Sequence, residues 1–383
     1  MRYLDAGESH GKGLTAIIEG LPSGLKIDLD KINDELSRRQ KGYGRGGRMK
    51  IETDKAEILS GVRNGYTLGS PVTLFIKNKD FDSWAGIMGD GECDITKRTV
   101  TEVRPGHADL SGCVKYGFDD ARNVLERASA RETAIRVAVG AVAKQLLGEL
   151  GIEIGSHVTN IGGVKVKPCV YRASDLKRAD ESEVRCMDGD VAGLMKKKID
   201  EAKLNKDTLG GEVEVVVSGM PIGIGSHVHY DRKLDYALMG AVGSVQSVKS
   251  VSIGLGEGYA DAFGSEVHDT MTLTERGVKR DSNNAGGIEG GISNGEDIIV
   301  RATLKPIPTV MKGLKTFDIK TGQSVLSSPE RSDVCAVPAG GVVIENVVAF
   351  AIAEKIMETL GGDRMDELKQ RMTAKKEIRW IRE

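Results

Sequence analysis

Aromatic residues are scarce in this chain. Its 383 residues include 2 Trp, 8 Tyr and 6 Phe, or 4%, so a planar ligand has few large rings to stack on. Proline is sparse, at 9, and neither sign of charge prevails, with 54 basic residues against 56 acidic. That balance excludes wholesale disorder, which needs strong net charge and low apolar content. A formal charge of −2 gives no overall basic field, so nucleic acid is not an expected partner. The five cysteines, Cys93, Cys113, Cys169, Cys186 and Cys335, are odd in number and widely spaced, without a C-x-x-C pair. They fit a reduced, cytoplasmic chain rather than a disulfide framework. The opening MRYLDAGESHG has no apolar h-region, so no signal peptide is expected. No run approaches the roughly 20 apolar residues of a membrane span, so no membrane contact is expected either.

Glycine is abundant instead. It supplies 49 residues, nearly twice the usual share of about 7%. There is no G-X-Y period, so the excess is not collagen-like. Length suggests two domains or one large domain with a duplicated core. Residues 129–150 and 342–360 are apolar nearly all round, which predicts two buried central helices. Ser129 and Glu132 have capping-box spacing at the start of the first. Amphipathic helices are predicted at 30–39, 190–204, 231–248 and 365–372, and strands at 14–21, 72–77, 212–220 and 297–304. This mixture predicts layered α/β packing. A quiet echo supports duplication: Gly20-Leu21-Pro22-Ser23-Gly24-Leu25 is matched by Gly219-Met220-Pro221-Ile222-Gly223-Ile224, each between a strand-like run and an amphipathic helix. No linker divides the chain, and the charged stretch 165–207 looks like an insertion.

The basic loop Arg38-Arg39-Gln40-Lys41-Gly42-Tyr43-Gly44-Arg45-Gly46-Gly47-Arg48-Met49-Lys50 offers backbone N–H groups and guanidinium forks to an anion. Gly42-x-Gly44-x-x-Gly47 formally matches a dinucleotide fingerprint, but a helix precedes it and none follows, so that reading fails. An RGG-type RNA-binding segment is the alternative, with a single Tyr and a near-neutral chain against it. Gly7-Glu8-Ser9-His10-Gly11-Lys12 is one residue short of a P-loop. His10 and His107, the latter in Arg104-Pro105-Gly106-His107-Ala108-Asp109, both sit in turns, where imidazole can exchange protons near neutral pH. His227 and His229 lack a third ligand at a recognisable spacing, so no metal is expected. The Gly-rich run 283–295 reads as a hairpin or a ligand loop. Arg331 and Asp333 can clamp one ligand or pair with each other. Arg127-Ala128-Ser129 opens the first predicted central helix, either as an anion site or with Ser129 as a plain N-cap. Together these loops point to an enzyme for a multiply anionic small molecule that moves protons with His.

GESHG at 7–11, RRQKGYGRGGRMKIE at 38–52, RPGHADL at 104–110, RASARETAIRVAVGAVA at 127–143, GGISNG at 290–295 and RSDVCAVPA at 331–339 resemble the chorismate synthase family, in the family's order and over essentially the whole chain. The resemblance implies an α+β fold in which central helices lie between two antiparallel sheets. It implies a single domain of two pseudo-repeats, each of roughly 190 residues, and a homotetramer. The implied activity is a lyase of aromatic amino-acid biosynthesis. It removes phosphate from 5-enolpyruvylshikimate 3-phosphate by 1,4-elimination to give chorismate, with reduced FMN. Arg39, Arg45, Arg48, Arg104 and Arg131 would line the substrate pocket, because a phosphate and two carboxylates require guanidiniums. His10 would protonate or hydrogen-bond the departing phosphate, His107 would sit by the reduced flavin and keep it correctly charged, and Asp333 would help flavin N5 accept the C6 proton. Arg127, Ala128, Ser129, Gln246, Ser247, Gly290, Lys305, Pro306, Ile307, Pro308, Thr309 and Arg331 would contact the flavin. Ala128 stands where many members have Ser, Ile307-Pro308 replaces a more hydroxyl-rich stretch, and Tyr259 stands where Phe is common. Some relatives reduce flavin with NADPH. With no dinucleotide fingerprint here, an external flavin reductase is favoured.

Overall fold

The computed structural model describes residues 1–46, 53–275, 277–327 and 332–377. Two antiparallel sheets flank a central layer of helices. The first sheet runs in the order Arg2–Ala6, Gly13–Glu19, Val72–Lys77, Ala56–Ser60. Its pairs Leu14–Ile76, Ala16–Leu74 and Ile18–Val72 put six buried side chains on one face, as a strand period of two requires. The second sheet runs Val248–Ile253, Ile298–Leu304, Gly211–Ser218, Glu153–Ile161, Val164–Lys165. Val213, Val215 and Val217 join the main core. Val216, on the opposite face, is covered by Ala173 and Leu176. The 165–207 stretch therefore does structural work: its 3₁₀ turn Asp175–Glu181 and helix Gly189–Leu204 pack on the second sheet.

The helix Thr133–Glu149 packs on the first sheet, and Val337–Leu360 backs onto the second. The two helices touch at Gly140, where an added Cβ would lie 2.4 Å from the Asn346 carbonyl oxygen. Only glycine allows backbone approach at that distance. Val337–Leu360 is long and apolar enough to cross a membrane, but 89% of its apolar window is buried inside the protein. It is a core helix, not a span.

Several boundaries differ from expectation. Ser129 accepts from Arg131 N and caps a 3₁₀ turn, Ala130–Glu132, ahead of the central helix. The capping box does not form, because the Glu132 carboxylate instead accepts from Gln246 Nε2 at 2.8 Å. The second central helix starts at Val337, with Pro338 in its first turn, a position that needs no N–H. The 231–248 segment is a 3₁₀ turn, Tyr230–Arg232, followed by the shorter helix Leu234–Gly243.

The two echo turns match in detail. Gly20 and Gly219 have φ of 88° and 89°. The Thr67 hydroxyl donates to Pro22 O at 2.6 Å and accepts from Leu25 N at 2.9 Å. The Ser293 hydroxyl likewise donates to Pro221 O at 2.6 Å and accepts from Ile224 N at 2.9 Å.

Candidate active site

One end of the central helices gathers the Arg- and Gly-rich loops. The helix Leu29–Gln40, capped by Asp28, carries Arg38 and Arg39 in its last turn. Arg38 is held by Glu345 at 2.8 Å and Glu35 at 2.7 Å. Burial works against an ionised Glu345, but Arg38, Lys144 and Arg185 outweigh it and hold the carboxyl well below the usual range. This anchored ion cluster fixes the helix end from which Arg39 projects. Arg39 donates to Thr133 Oγ1 at 3.0 Å and Ala130 O at 2.8 Å, with Asp54 at 3.7 Å. Burial lowers its guanidinium to about 10.

Arg39 and Arg45 share a cleft with Gln246, Ser247, Lys305 and Ile307, closed by the first turns of Val337–Leu360 at Val337 and Gly340. The Arg45 fork meets Asp333 at 2.7 Å, and Asp333 also accepts Gly46 N at 2.6 Å. Asp333 is therefore the partner of Arg45. Two buried polar atoms on the cleft walls, Arg45 Nε and Gln246 Oε1, have no hydrogen-bond partner among the described residues. Buried polar atoms in native proteins are nearly always satisfied, so these two fit a polar ligand. Ser247 adopts φ of 72°, and its carbonyl accepts Lys305 N at 2.8 Å, which ties the two cleft segments together. Lys305 Nζ donates to Gly106 O. Burial, then Lys249, lowers its pKa, which suits an amine awaiting an anion.

His107 follows Gly106, which abuts Lys305 of the cleft and Pro308. Its Nδ1 lies 2.5 Å from Asp109 Oδ1 and 3.1 Å from Arg104 Nη2. Arg104 also donates to Asp109 at 2.8 Å and to Thr309 Oγ1 at 3.2 Å. Burial pushes the Asp109 pKa up, but the His107 and Arg104 bonds overcome this and hold it far below the ordinary value. The Ser332 hydroxyl bonds Thr309 O at 2.9 Å, so the His107 turn, the 305–309 run and the Asp333 loop form one unit.

His10 belongs to a second unit. The Asn78 amide donates to Glu8 O and Gly11 O at 3.0 and 2.8 Å. Its oxygen accepts from Arg131 Nε at 3.0 Å. Arg131 also donates to Asp54 at 2.6 Å, and Asp54 reaches Arg39. Arg131 is thus buried and Arg104 half-buried among protein partners, while Arg39 and Arg45 line the cleft. The Ser129 hydroxyl lies 3.3 Å from that of Ser9. Arg127 bonds Gly7 O and Asp5, and Ala128 ends the short helix Arg122–Ala128 outside the cleft lining. Pro306 is exposed, and Pro308 is half-buried near Gly106. Gly290 turns a hairpin, Ile288–Glu289 with Ile292–Ser293, that seats on Gly225 and Leu234; it does not line the cleft. Arg48 and Arg331 lie outside the described residues. His229 pairs with Asp231 at 2.8 Å, and the described residues contain no group of three metal-capable side chains.

Sequence reasoning missed Asp54, Asn78, Trp84, Asp109 and Glu126, the groups that hold the arginines and histidines. Only Asp109, two residues from His107, carried a local signal.

The comparisons agree with this geometry. The chorismate synthase family description matches residues 1–357. Chorismate synthase 1 of Bacillus thuringiensis is 55% identical over 378 residues, covering 97% of each chain. Chorismate synthase of Caldicellulosiruptor bescii is 54% identical over 368 residues, 95% of this chain and 96% of its own. A solved structure described as a crystal structure of chorismate synthase superposes with a TM-score of 0.79 at 42% identity, covering 98% of both chains. Nothing among these matches supports the RNA-binding alternative at 38–50. With a buried arginine cleft, two carboxylate-held histidines and near-complete coverage by named relatives, this chain belongs to the chorismate synthase family, lyases of the shikimate pathway and aromatic amino-acid biosynthesis.

Proposed function

We propose that the cleft binds reduced FMN and 5-enolpyruvylshikimate 3-phosphate together and releases phosphate to form chorismate. The observation that carries this reading is the shared cleft. Arg39 and Arg45 stand on the same walls as Gln246, Ser247 and Lys305, with two buried polar atoms left for a ligand. The donor set suits a phosphorylated, polar heterocycle beside a substrate that bears one phosphate and two carboxylates. When bound, reduced FMN supplies electron density that eases loss of an allylic phosphate. Arg39 and Arg45 bind and desolvate the anionic substrate. His10 gives a proton to the departing phosphate. His107, fixed through Nδ1 by Asp109, keeps Nε2 directed to its ligand. Asp333 orients Arg45 and assists loss of the C6 proton. The substrate loses one proton and one phosphate and gains one double bond, so no net oxidation occurs.

The same reading takes Ser129 and Thr309 as flavin contacts and Arg104 and Arg131 as supports of the substrate wall. It includes a cytoplasmic homotetramer that receives reduced FMN from an external reductase. Two pseudo-repeats account for the matching turns at Pro22 and Pro221. Anaerobic incubation with reduced FMN and substrate is expected to release phosphate, and oxidised FMN is expected not to support it. A folded protein that binds flavin yet releases no phosphate would overturn the reading. NADPH consumed in proportion to product would assign the reduction to this chain.

A further inference from the structure

What holds His10 in place lies outside every motif of the sequence. Glu126 sits 116 residues away on Arg122–Ala128. Its Oε2 accepts His10 N at 2.8 Å, and its Oε1 lies 2.9 Å from His10 Nδ1. Its carbonyl accepts Ser9 N at 2.9 Å. The carboxylate is 1% exposed and also takes Arg122 Nη1 at 3.1 Å. Trp84 stacks on the His10 ring with centroids 3.9 Å apart, and Arg98 lies 4.0 Å over the indole. The ring is therefore clamped by a face and by one nitrogen. Among the described residues, no hydrogen bond occupies Nε2.

We propose that Glu126 is a positioning residue: it fixes His10 as the Nδ1–H tautomer, presents Nε2 to the departing phosphate and stabilises the imidazolium that gives up the proton. The proposal rests on the role given to His10 above. A buried acceptor-only carboxylate facing Nδ1 requires a proton on that nitrogen. As the allylic C–O bond breaks, its electron pair leaves with phosphate. A phosphate oxygen takes the Nε2 proton, and neutral His10 keeps its Nδ1–H bond to Glu126. Burial disfavours an ionised Glu126, but His10 and Arg122 more than offset this and keep its pKa low. The charged groups around the ring are Glu126 with Arg122 from one helix, Arg98 and Asp80 against Trp84, and Glu8 and Lys12 of the turn itself, with Lys12 paired to Asp90.

Glu126→Gln keeps the shape and removes the charge. It is expected to lower kcat roughly 100-fold, in the range of losses seen when a group orienting a histidine is removed, with KM within about twofold. The alkaline limb of the pH–rate profile is expected to move down by roughly one pH unit, and Glu126→Asp to recover part of the loss. In a His10→Ala background the same change is expected to cost less than about twofold, because Glu126 acts through His10. Equal losses in both backgrounds, or an unmoved limb, would overturn the proposal. Nitrogen-15 NMR of the histidines reads the tautomer in the wild-type protein without catalysis. Neutral His10 protonated at Nε2 rather than Nδ1 would refute the role of Glu126 even in an active enzyme. The expected tautomer in a protein that releases no phosphate would count against the elimination, not against Glu126.

Discussion

His107 and His10 are each held at Nδ1 by a buried carboxylate that also takes an arginine, yet the two sets are built over very different spans of chain. Arg104, His107 and Asp109 lie within six consecutive positions, and Asp109 accepts Arg104 N as well as its side chain. A single turn makes that set. The His10 set draws its carboxylate and arginine from one helix, its stacking ring from another and its backbone brace, Asn78, from the end of a strand. Both rings are nearly equally shielded, with 16% and 15% of their side chains exposed. The difference lies in what each set depends on. Local geometry holds His107, whereas tertiary packing holds His10. The proton transfer proposed for His10 would thereby be tied to the assembled state of the fold.

The comparison breaks most sharply if either ring is removed. His107→Ala is expected to lower kcat by roughly 100- to 1,000-fold while calorimetric substrate affinity stays within about threefold. Lost substrate binding would contradict the place beside the flavin proposed for it. Trp84→Leu takes away the stacking face of His10, along with the indole's contacts to Arg98 and Asp80, and is expected to cost roughly tenfold in kcat through misalignment. Its imidazole NMR signals should shift at His10 and hold at His107.

Acid separates the sets by stability. Asp109 and Glu126 both have depressed carboxyl pKa values in the folded protein, so as pH falls the unfolded chain binds protons first. The stabilisation is fully present above the unfolded value of about 4 and is lost as pH drops through the folded values. Urea titrations from pH 6 to pH 3 are expected to show falling stability. Asp109→Asn should remove roughly 1 kcal/mol of the loss between pH 6 and pH 3, and an unchanged slope would show that the His107–Arg104–Asp109 set contributes nothing to it. The smallest effect is expected at Lys12. It looks like the lysine of a phosphate loop but forms an exposed pair with Asp90. Lys12→Ala should change thermal stability by less than about 0.5 kcal/mol and turnover by less than about twofold; a larger kinetic loss would place Lys12 on the substrate.

The central helices were legible because almost every position is apolar, a pattern only a buried helix satisfies. The strands at 14–21 and 72–77 were legible as short apolar runs, but which of their faces turns inward was not, because Ile17 and Phe75 interrupt the alternation. The short helices Phe81–Met88, Asp109–Tyr116 and Arg122–Ala128 were not, because they are too brief to show a period and owe their order to tertiary contacts. The same cause hid the site's supporting shell. Arg39 and His10 announce themselves by residue type in Gly-rich turns. Asp54, Asn78 and Glu126 are ordinary polar residues until the fold brings them to a guanidinium or an imidazole. Glycine in these loops reads as backbone room for ligands, and the shortage of aromatics leaves Trp84 as a clamp for His10 rather than part of a flavin stack.

Reaction stoichiometry tests the central claim most directly. With enzyme, substrate and a limiting amount of reduced FMN under anaerobic conditions, phosphate and chorismate should appear one for one over many turnovers, and the flavin should be reduced at the end. Flavin oxidised in proportion to product, or phosphate released without chorismate, would contradict a redox-neutral elimination in this cleft.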